Sequence, residues 1–177
     1  MTRAASDRPP PAAEPATRVE LVRDLERSAL DELSELAAAV FPGQPFSMHE
    51  EVARPWTRLW VAYEGRDRPA SFLVGWHVAD ELHILNVATA EAARRKGLAR
   101  ALLVQALEYA ALYHLRILLL EVRRSNAPAI ALYKAMGFSI SGVRRRYYAD
   151  NDEDAIEMLL ALDPVTGRVI PTPDEAV

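Results

Sequence analysis

Arg94-Arg95-Lys96-Gly97-Leu98-Ala99 joins two stretches of different character. Before it, Leu82 to Ala88 is an apolar run that reads as a strand. After it, from Gly97 to Tyr113, Ala99, Leu102, Leu103, Ala106, Leu107, Ala110 and Tyr113 recur at helical spacing, with Arg100, Gln105 and Glu108 away from that face. A strand, a basic glycine-bearing turn and a helix start make an anion site in physical terms. The first helical N–H groups have no intrahelical acceptor, and the helix dipole adds about half a positive charge there. Gly97 lets a ligand approach the backbone without meeting a Cβ. A phosphate or pyrophosphate suits such a turn. A solvated basic turn before an ordinary helix has the same local sequence, so the flanking segments decide.

Downstream, Leu115 to Val122 is almost continuously apolar, as expected of a strand covered on both faces. Strand, helix and strand in this order predict a parallel crossover. Asn126 is placed to cap a helix that runs to Met136, with Pro128 in its first turn. Phe138 to Tyr148 and Asp154 to Leu160 read as two more strands joined by the turn Asp150-Asn151-Asp152. Upstream, Arg18 to Asp24 alternates as a half-buried strand. Ser28 to Val40 reads as a helix with Ser28 as N-cap. Ser47 and Glu50 form a capping box for a short helix ending before Pro55. Leu59 to Tyr63 and Ala70 to Val78 form a hairpin around Glu64 to Asp67, followed by a turn at Asp80-Glu81. The predicted fold is mixed α/β. Its sheet is antiparallel at both ends, with a central parallel pair and flanking helices.

In such sheets ligands bind beyond the carboxyl ends of strands where connections diverge. Both the Arg94 turn and the Ser125-Asn126 turn follow strand ends of the central pair. Residues 1–17, rich in proline and alanine, read as a disordered leader. Residues 18–162 form one domain, and residues 163–177, with Pro164, Gly167, Pro171 and Pro173, read as a loose tail.

The chain has 177 residues, no cysteine and four histidines. Disulfides, thiolate metal sites and a cysteine nucleophile are excluded. No two histidines have metal-ligand spacing, so no metal is expected. A net charge of −4 argues against direct binding of nucleic acid. No apolar run reaches the ~20 residues of a membrane span, and no signal peptide is visible, so a cytoplasmic protein without a membrane partner is expected.

Three residues stand out chemically. Glu121 ends the apolar run Ile117 to Leu120. A carboxylate there needs a partner or a cleft. It either pairs with Arg123 or another arginine, or serves as a general base. Tyr133, beside the face of Ala129, Leu132 and Met136, either packs in the core or points a phenol at the same cleft as a general acid. Asn126 is an N-cap whose amide could also meet a ligand. Arg144 to Tyr148 is a basic and aromatic cluster, read either as a charged edge strand or as a surface for a peptide or acidic partner.

These motifs together resemble the GNAT superfamily of N-acetyltransferases. Arg94 to Ala99 resembles its acyl-CoA pyrophosphate loop. The run Leu120 to Asn126, then Ala129 to Tyr133, Met136 to Phe138, Arg145 to Tyr148 and Glu153 to Ala155 is similar to the RimI type, which acetylates the N-terminal alanine of a small-subunit ribosomal protein. Phe41-Pro42 followed by Ser47 is similar to the family's substrate-side segment. The chain departs from the pattern with Arg94 where glutamine is common, and with Thr89-Ala90-Glu91 in place of an Asp-Pro turn.

The resemblance implies acetyl-CoA as cosubstrate and a protein N-terminus, such as that of a ribosomal protein, as acceptor. It implies that Glu121 is the general base and Tyr133 the general acid. Asn86, Val87 and Ala88 would meet the acetyl and pantetheine groups. Arg94, Arg95, Lys96, Gly97, Leu98 and Ala99 would hold the pyrophosphate, and Asn126 would contact the cofactor. Lysine, a polyamine or another small amine is the alternative acceptor, and a non-catalytic acyl-CoA-binding module is the alternative of another class.

Overall fold

A computed structural model describes residues 18–22, 25–43, 46–65 and 68–175. Within them, strand β1 (Arg18–Val22) leads to helices α1 (Arg27–Val40) and α2 (Met48–Val52). Strands β2 (Thr57–Glu64), β3 (Arg68–Val78) and β4 (Glu81–Thr89) follow as an antiparallel meander. A 3₁₀ turn (Glu91–Ala93) leads into α3 (Leu98–Leu112), then β5 (Ile117–Arg123), α4 (Ala127–Ala135), β6 (Ser139–Tyr148), β7 (Glu153–Leu162) and β8 (Val169–Ile170). The sheet order is β1-β2-β3-β4-β5-β7-β6, with β8 on β7. Among the described residues only β4 and β5 are parallel neighbours, as the crossover through α3 requires. The expected mixed sheet with a central parallel pair is the observed one.

The sheet is buried on both faces because side chains alternate along each strand. On β2, Trp60 and Ala62 join a core with Leu102, Leu103 and Ala106 of α3 and with Tyr133 of α4. Leu59 and Val61 point the other way, to Leu33 and Ala37 of α1 and Met48 of α2. β5 alternates likewise. Leu118, Leu120 and Val122 belong to the α3–α4 core, which leaves Leu119, Glu121 and Arg123 on the α1–α2 side.

The pairing of β4 with β5 is short. It runs from Glu81↔Ile117 to Ile84↔Leu120 and stops. Beyond that point β4 stays on β3 as far as Thr89↔Ser71, and β5 stays on β7 as far as Arg123↔Ala155. Leu85 is the extra residue of a bulge, since Gly75 pairs with Ile84 and Val74 with Asn86. A bulge bends its strand. Here it bends β4 where the strand leaves β5, and the sheet opens.

Two expectations are corrected. Ser28 does not cap α1, which begins at Arg27 with Glu26 before it and no side-chain cap. The helix is set by burial of Leu33 and Ala37, and Asp31 instead accepts from His49 Nε2 at 2.9 Å, tying α1 to α2. The tail is not loose as far as residue 175. Asp163 Oδ1 accepts from the N–H groups of Val165 and Thr166, and β8 pairs Leu162↔Val169 and Ala161↔Ile170. Asp174 accepts from Ile140 N–H at 2.8 Å and pairs with Lys134 at 2.7 Å. The tail thus covers part of the outer strands, where prolines are tolerated because no ladder donor is needed. The leader, residues 1–17, lies outside the described residues. No described helix is long and apolar enough to cross a membrane.

Candidate active site

The opening between β4 and β5 continues into a cavity of ≈ 1330 Å³. Of the residues singled out from the sequence, Asn86, Val87, Arg94, Arg95, Gly97, Leu98, Ala99, Glu121, Asn126 and Tyr133 line it. Val40 to Gly43 and Phe46 form its wall on the α1–α2 side. A second cavity of ≈ 580 Å³, between β1, β2 and the far end of α3, holds none of these residues.

The α3 end of the cavity is electropositive by construction. Gly97 stands at the N-cap position with φ +80°, has no side-chain cap and meets no atom where a Cβ would stand. The first turn contains no acidic residue. Its free N–H groups and dipole therefore have no counter-charge of their own. Arg95 is also left-handed, at φ +64°, and Arg94 and Arg95 are exposed. Arg100 lines the same end. It was missed because it lies off the apolar face of α3. Its signal was electrostatic, since a cation in a first helical turn is unfavourable without an anion nearby. Lys96 departs from expectation. It forms an ion pair with Glu64, whose carboxyl it holds below the usual range, and it does not line the cavity.

Just past β4, Ala90 N–H donates to Ala70 O at 2.8 Å, and on β4 Ala88 O accepts from Ser71 Oγ at 2.6 Å. Ala88 and Ala90 therefore turn their backbone groups toward β3. Successive residues alternate, so the N–H of Val87 faces the gap. Ala88, expected beside it, is instead buried with its side chain in the α1–α2 core. The bulge at Leu85 sets this phase.

Asn126 Oδ1 accepts from Ala129 N–H at 3.3 Å, so it caps α4 and leaves its amide N–H groups for the cavity. The turn that carries it is fixed from below. Glu153 accepts from Ser125 N–H at 2.7 Å and from Arg123 at 3.2 Å. Bonds from Ser125, then Asn151 and Arg123, pull the Glu153 carboxyl down to about 2. Arg123 also forks onto both oxygens of Asp150 and lies 3.9 Å from the centre of the Tyr148 ring.

Glu121 and Tyr133 flank the gap from opposite faces of β5. The Tyr133 ring is buried against Phe138, with centroids 5.8 Å apart. Burial, assisted by Tyr148, pushes its phenol up to about 12, so it keeps its proton throughout the neutral range. Glu121, on the α1–α2 face, is paired as well as cavity-facing. Its partner is Arg144, with Nη1 3.0 Å from Oε1, because Arg123 is already held by Asp150 and Glu153. Tyr147 stands beside Glu121, whose carboxylate raises the tyrosine's own pKa. Glu121 and Asn86 share a sheet face, since Asn86 is the register partner of the α1–α2-facing Val74. No described group of His, Asp or Glu residues is arranged to hold a metal ion.

Residues 21–138 match the Acetyltransferase (GNAT) family. The chain is 42% identical over 98 residues to a ribosomal protein bS18-alanine N-acetyltransferase of Salmonella typhimurium, covering 54% of this chain and 66% of that one. It is 32% identical over 146 residues to an N-alpha-acetyltransferase RimI of Mycobacterium tuberculosis, covering 76% of this chain and 87% of that one. The crystal structure of the ribosomal-protein-S18-alanine N-acetyltransferase from Escherichia coli superposes with a TM-score of 0.71 at 28% identity, covering 91% of this chain and 98% of that one.

Proposed function

The chain belongs to the acetyltransferase (GNAT) family, and from that premise we propose that it moves an acetyl group from acetyl-CoA to the α-amine of a protein N-terminus. The acceptor is the N-terminal alanine of a ribosomal small-subunit protein, and attack is direct, within a ternary complex. The names of the similar enzymes from Salmonella and Escherichia support this acceptor. One observation carries the reading. β4 and β5 part after Ile84 and Leu120, with a carboxylate on one face of the opening and a neutral phenol on the other.

The residues present fit the cosubstrate. An anionic pyrophosphate suits the uncapped start of α3 with Arg94 and Arg95 beside it. A thioester arm suits the open gap lined by Val87. Acetyl-CoA, when bound, supplies the activated acyl group, and this chain's own residues do the rest. Glu121, directly or through one water, takes a proton from the acceptor. An α-amine has a pKa of about 7.7–8.0, so only part of the population needs this help at neutral pH. The N–H of Val87 offers a fixed dipole to charge developing on the carbonyl oxygen. Tyr133 gives its proton to the leaving sulfur. Each acid–base role contributes about 10²–10⁴ in rate. No enzyme nucleophile is required, and the chain has no cysteine to serve as one. We place this activity in the cytoplasm, with its acceptor.

The test is to incubate the protein with acetyl-CoA and three short peptides: one with a free N-terminal alanine, its N-blocked twin, and a blocked peptide with one lysine. One acetyl gained on the free α-amine alone supports the reading. Transfer to the lysine peptide alone moves the acceptor to side-chain amines. CoA binding with no transfer to any amine leaves a silent acyl-CoA-binding module.

A further inference from the structure

The second cavity, of ≈ 580 Å³, has the size of a small-molecule site, about 300–1,000 Å³. It opens where β1 leaves β2. Their pairing ends at Val22↔Leu59, so Thr57 and Arg58, at the start of β2, lie beyond it. Leu30 of α1, Val52 of α2 and Leu59 of β2 supply apolar lining. Arg54, Thr57, Arg58 and Tyr109 supply polar lining. No residue is shared with the active cavity.

Arg58 is held in place without being neutralised. Its Nε donates to Tyr109 Oη at 2.6 Å, and its Nη1 donates to the carbonyls of Pro55 at 3.0 Å and Thr57 at 2.8 Å. The guanidinium therefore lies beside residues 55–57. Tyr109 Oη in turn donates to His77 Nδ1 at 2.7 Å, because His77 Nε2 lies 3.1 Å from Ala79 O, which can only accept. All the groups that hold Arg58 are uncharged. Among the described residues no carboxylate pairs with it, and the two N–H groups of Nη2 have no acceptor. Arg54 differs, with Glu51 Oε1 3.3 Å from its Nε, and the Glu51 carboxylate also accepts from Trp76 Nε1 at 2.7 Å. Thr57 Oγ1 is buried with no hydrogen-bond partner among the described residues. A buried polar atom without a partner is exceptional in a native structure, and a ligand is one way to satisfy it.

We propose that this cavity binds a small monocarboxylate with an apolar body. The carboxylate lies at the end marked by Arg58 and Thr57, and the hydrocarbon lies against Leu30, Val52 and Leu59. Glu51 cancels the charge of Arg54, so the charge of Arg58 is left over and calls for a single anion. A carboxylate only accepts, which suits a guanidinium and a hydroxyl that both have protons to give. An ammonium would meet an uncompensated cation. An amide would leave that cation without a counter-charge, and acetate would leave the apolar lining in water. The site stands apart from the opening between β4 and β5 and does not depend on acetyl transfer.

The test is calorimetric, on the full chain saturated with CoA. Hexanoate, hexanamide, hexylammonium and acetate are titrated into wild type, Arg58→Gln and Thr57→Val, and each protein is also melted without them. Hexanoate should bind one-to-one, and the other three compounds at least about tenfold weaker. Arg58→Gln should weaken hexanoate about tenfold or more, as expected for loss of a charge-assisted hydrogen bond. Thr57→Val separates binding from folding. The hydroxyl has no partner in the empty cavity, so valine should leave the melt no lower, yet hexanoate should bind about three- to tenfold weaker. No saturable binding of hexanoate below about 10 mM overturns the proposal. So does equal binding of hexanamide, or a hexanoate affinity unmoved in both variants.

Discussion

Replacing Tyr133 with phenylalanine separates chemistry from packing at one oxygen atom. The ring stays, with its contact to Phe138 at 5.8 Å and its place in the α3–α4 core. Only the hydroxyl is lost, and what holds its pKa up is burial and the nearby Tyr148, not a hydrogen bond. No stabilising bond is broken, so stability should change by less than about 0.5 kcal/mol. For a chain of this size that is a shift of about 2 °C or less in melting temperature. The catalytic effect is much larger. With its pKa pushed up to about 12, the phenol keeps its proton at pH 8 and is available as an acid. Loss of a general acid lowers kcat by about 10²–10⁴, or about 3–5 kcal/mol in the barrier. The assay is steady-state turnover at saturating acetyl-CoA and peptide, paired with a thermal melt. A large fall in kcat with an unmoved melt is expected. A kcat within about threefold of wild type refutes the acid role, and a loss of activity that tracks a lowered melt refutes the separation of chemistry from packing.

Three further outcomes follow from the geometry. Gly97→Ala meets no steric obstacle but forces alanine to φ +80°, costing about 1–2 kcal/mol, and sets a methyl group over the anion site. The melt should fall by about 2–8 °C and the acetyl-CoA KM should rise, and an unchanged KM would remove the turn from cofactor binding. Lys96→Ala should leave the acetyl-CoA KM within about twofold, because its ammonium is held by Glu64, whereas Arg94→Ala should raise it by more. Glu153, whose carboxyl is pulled from 4.5 to about 2, contributes stability that is complete above 4.5 and is lost as pH falls through about 2. Urea midpoints measured across that acid window should flatten in Glu153→Gln, and an unaltered acid slope would contradict the assignment.

The legible parts of the chain were those where a local rule and the tertiary structure agree. Leu115 to Val122 announced a doubly covered strand, and the basic turn at Arg94 to Ala99 announced an anion site at a helix start. Ser47 was readable as a cap because its partner, the N–H of Glu50, is three residues away. What the sequence hid depends on long-range pairing. Nothing local at Leu85 marks the bulge that sets the phase of β4, and so Ala88 was expected beside Val87 although its side chain is buried in the α1–α2 core. Arg144 and Glu121 lie 23 positions apart, and only the β5-β7-β6 order brings them together. The tail was misjudged because its prolines look unstructured, yet an edge position needs no donor from them.

The most direct measurement is a crystal structure of the protein with CoA and a peptide bearing a free N-terminal alanine. The pyrophosphate should lie on the start of α3, the sulfur in the gap between β4 and β5 near Val87 and Tyr133, and the α-nitrogen within one water of Glu121. A peptide terminus bound away from Glu121, or CoA lying outside the gap with Tyr133 out of reach of its sulfur, would contradict the opening of the sheet as the place of acetyl transfer.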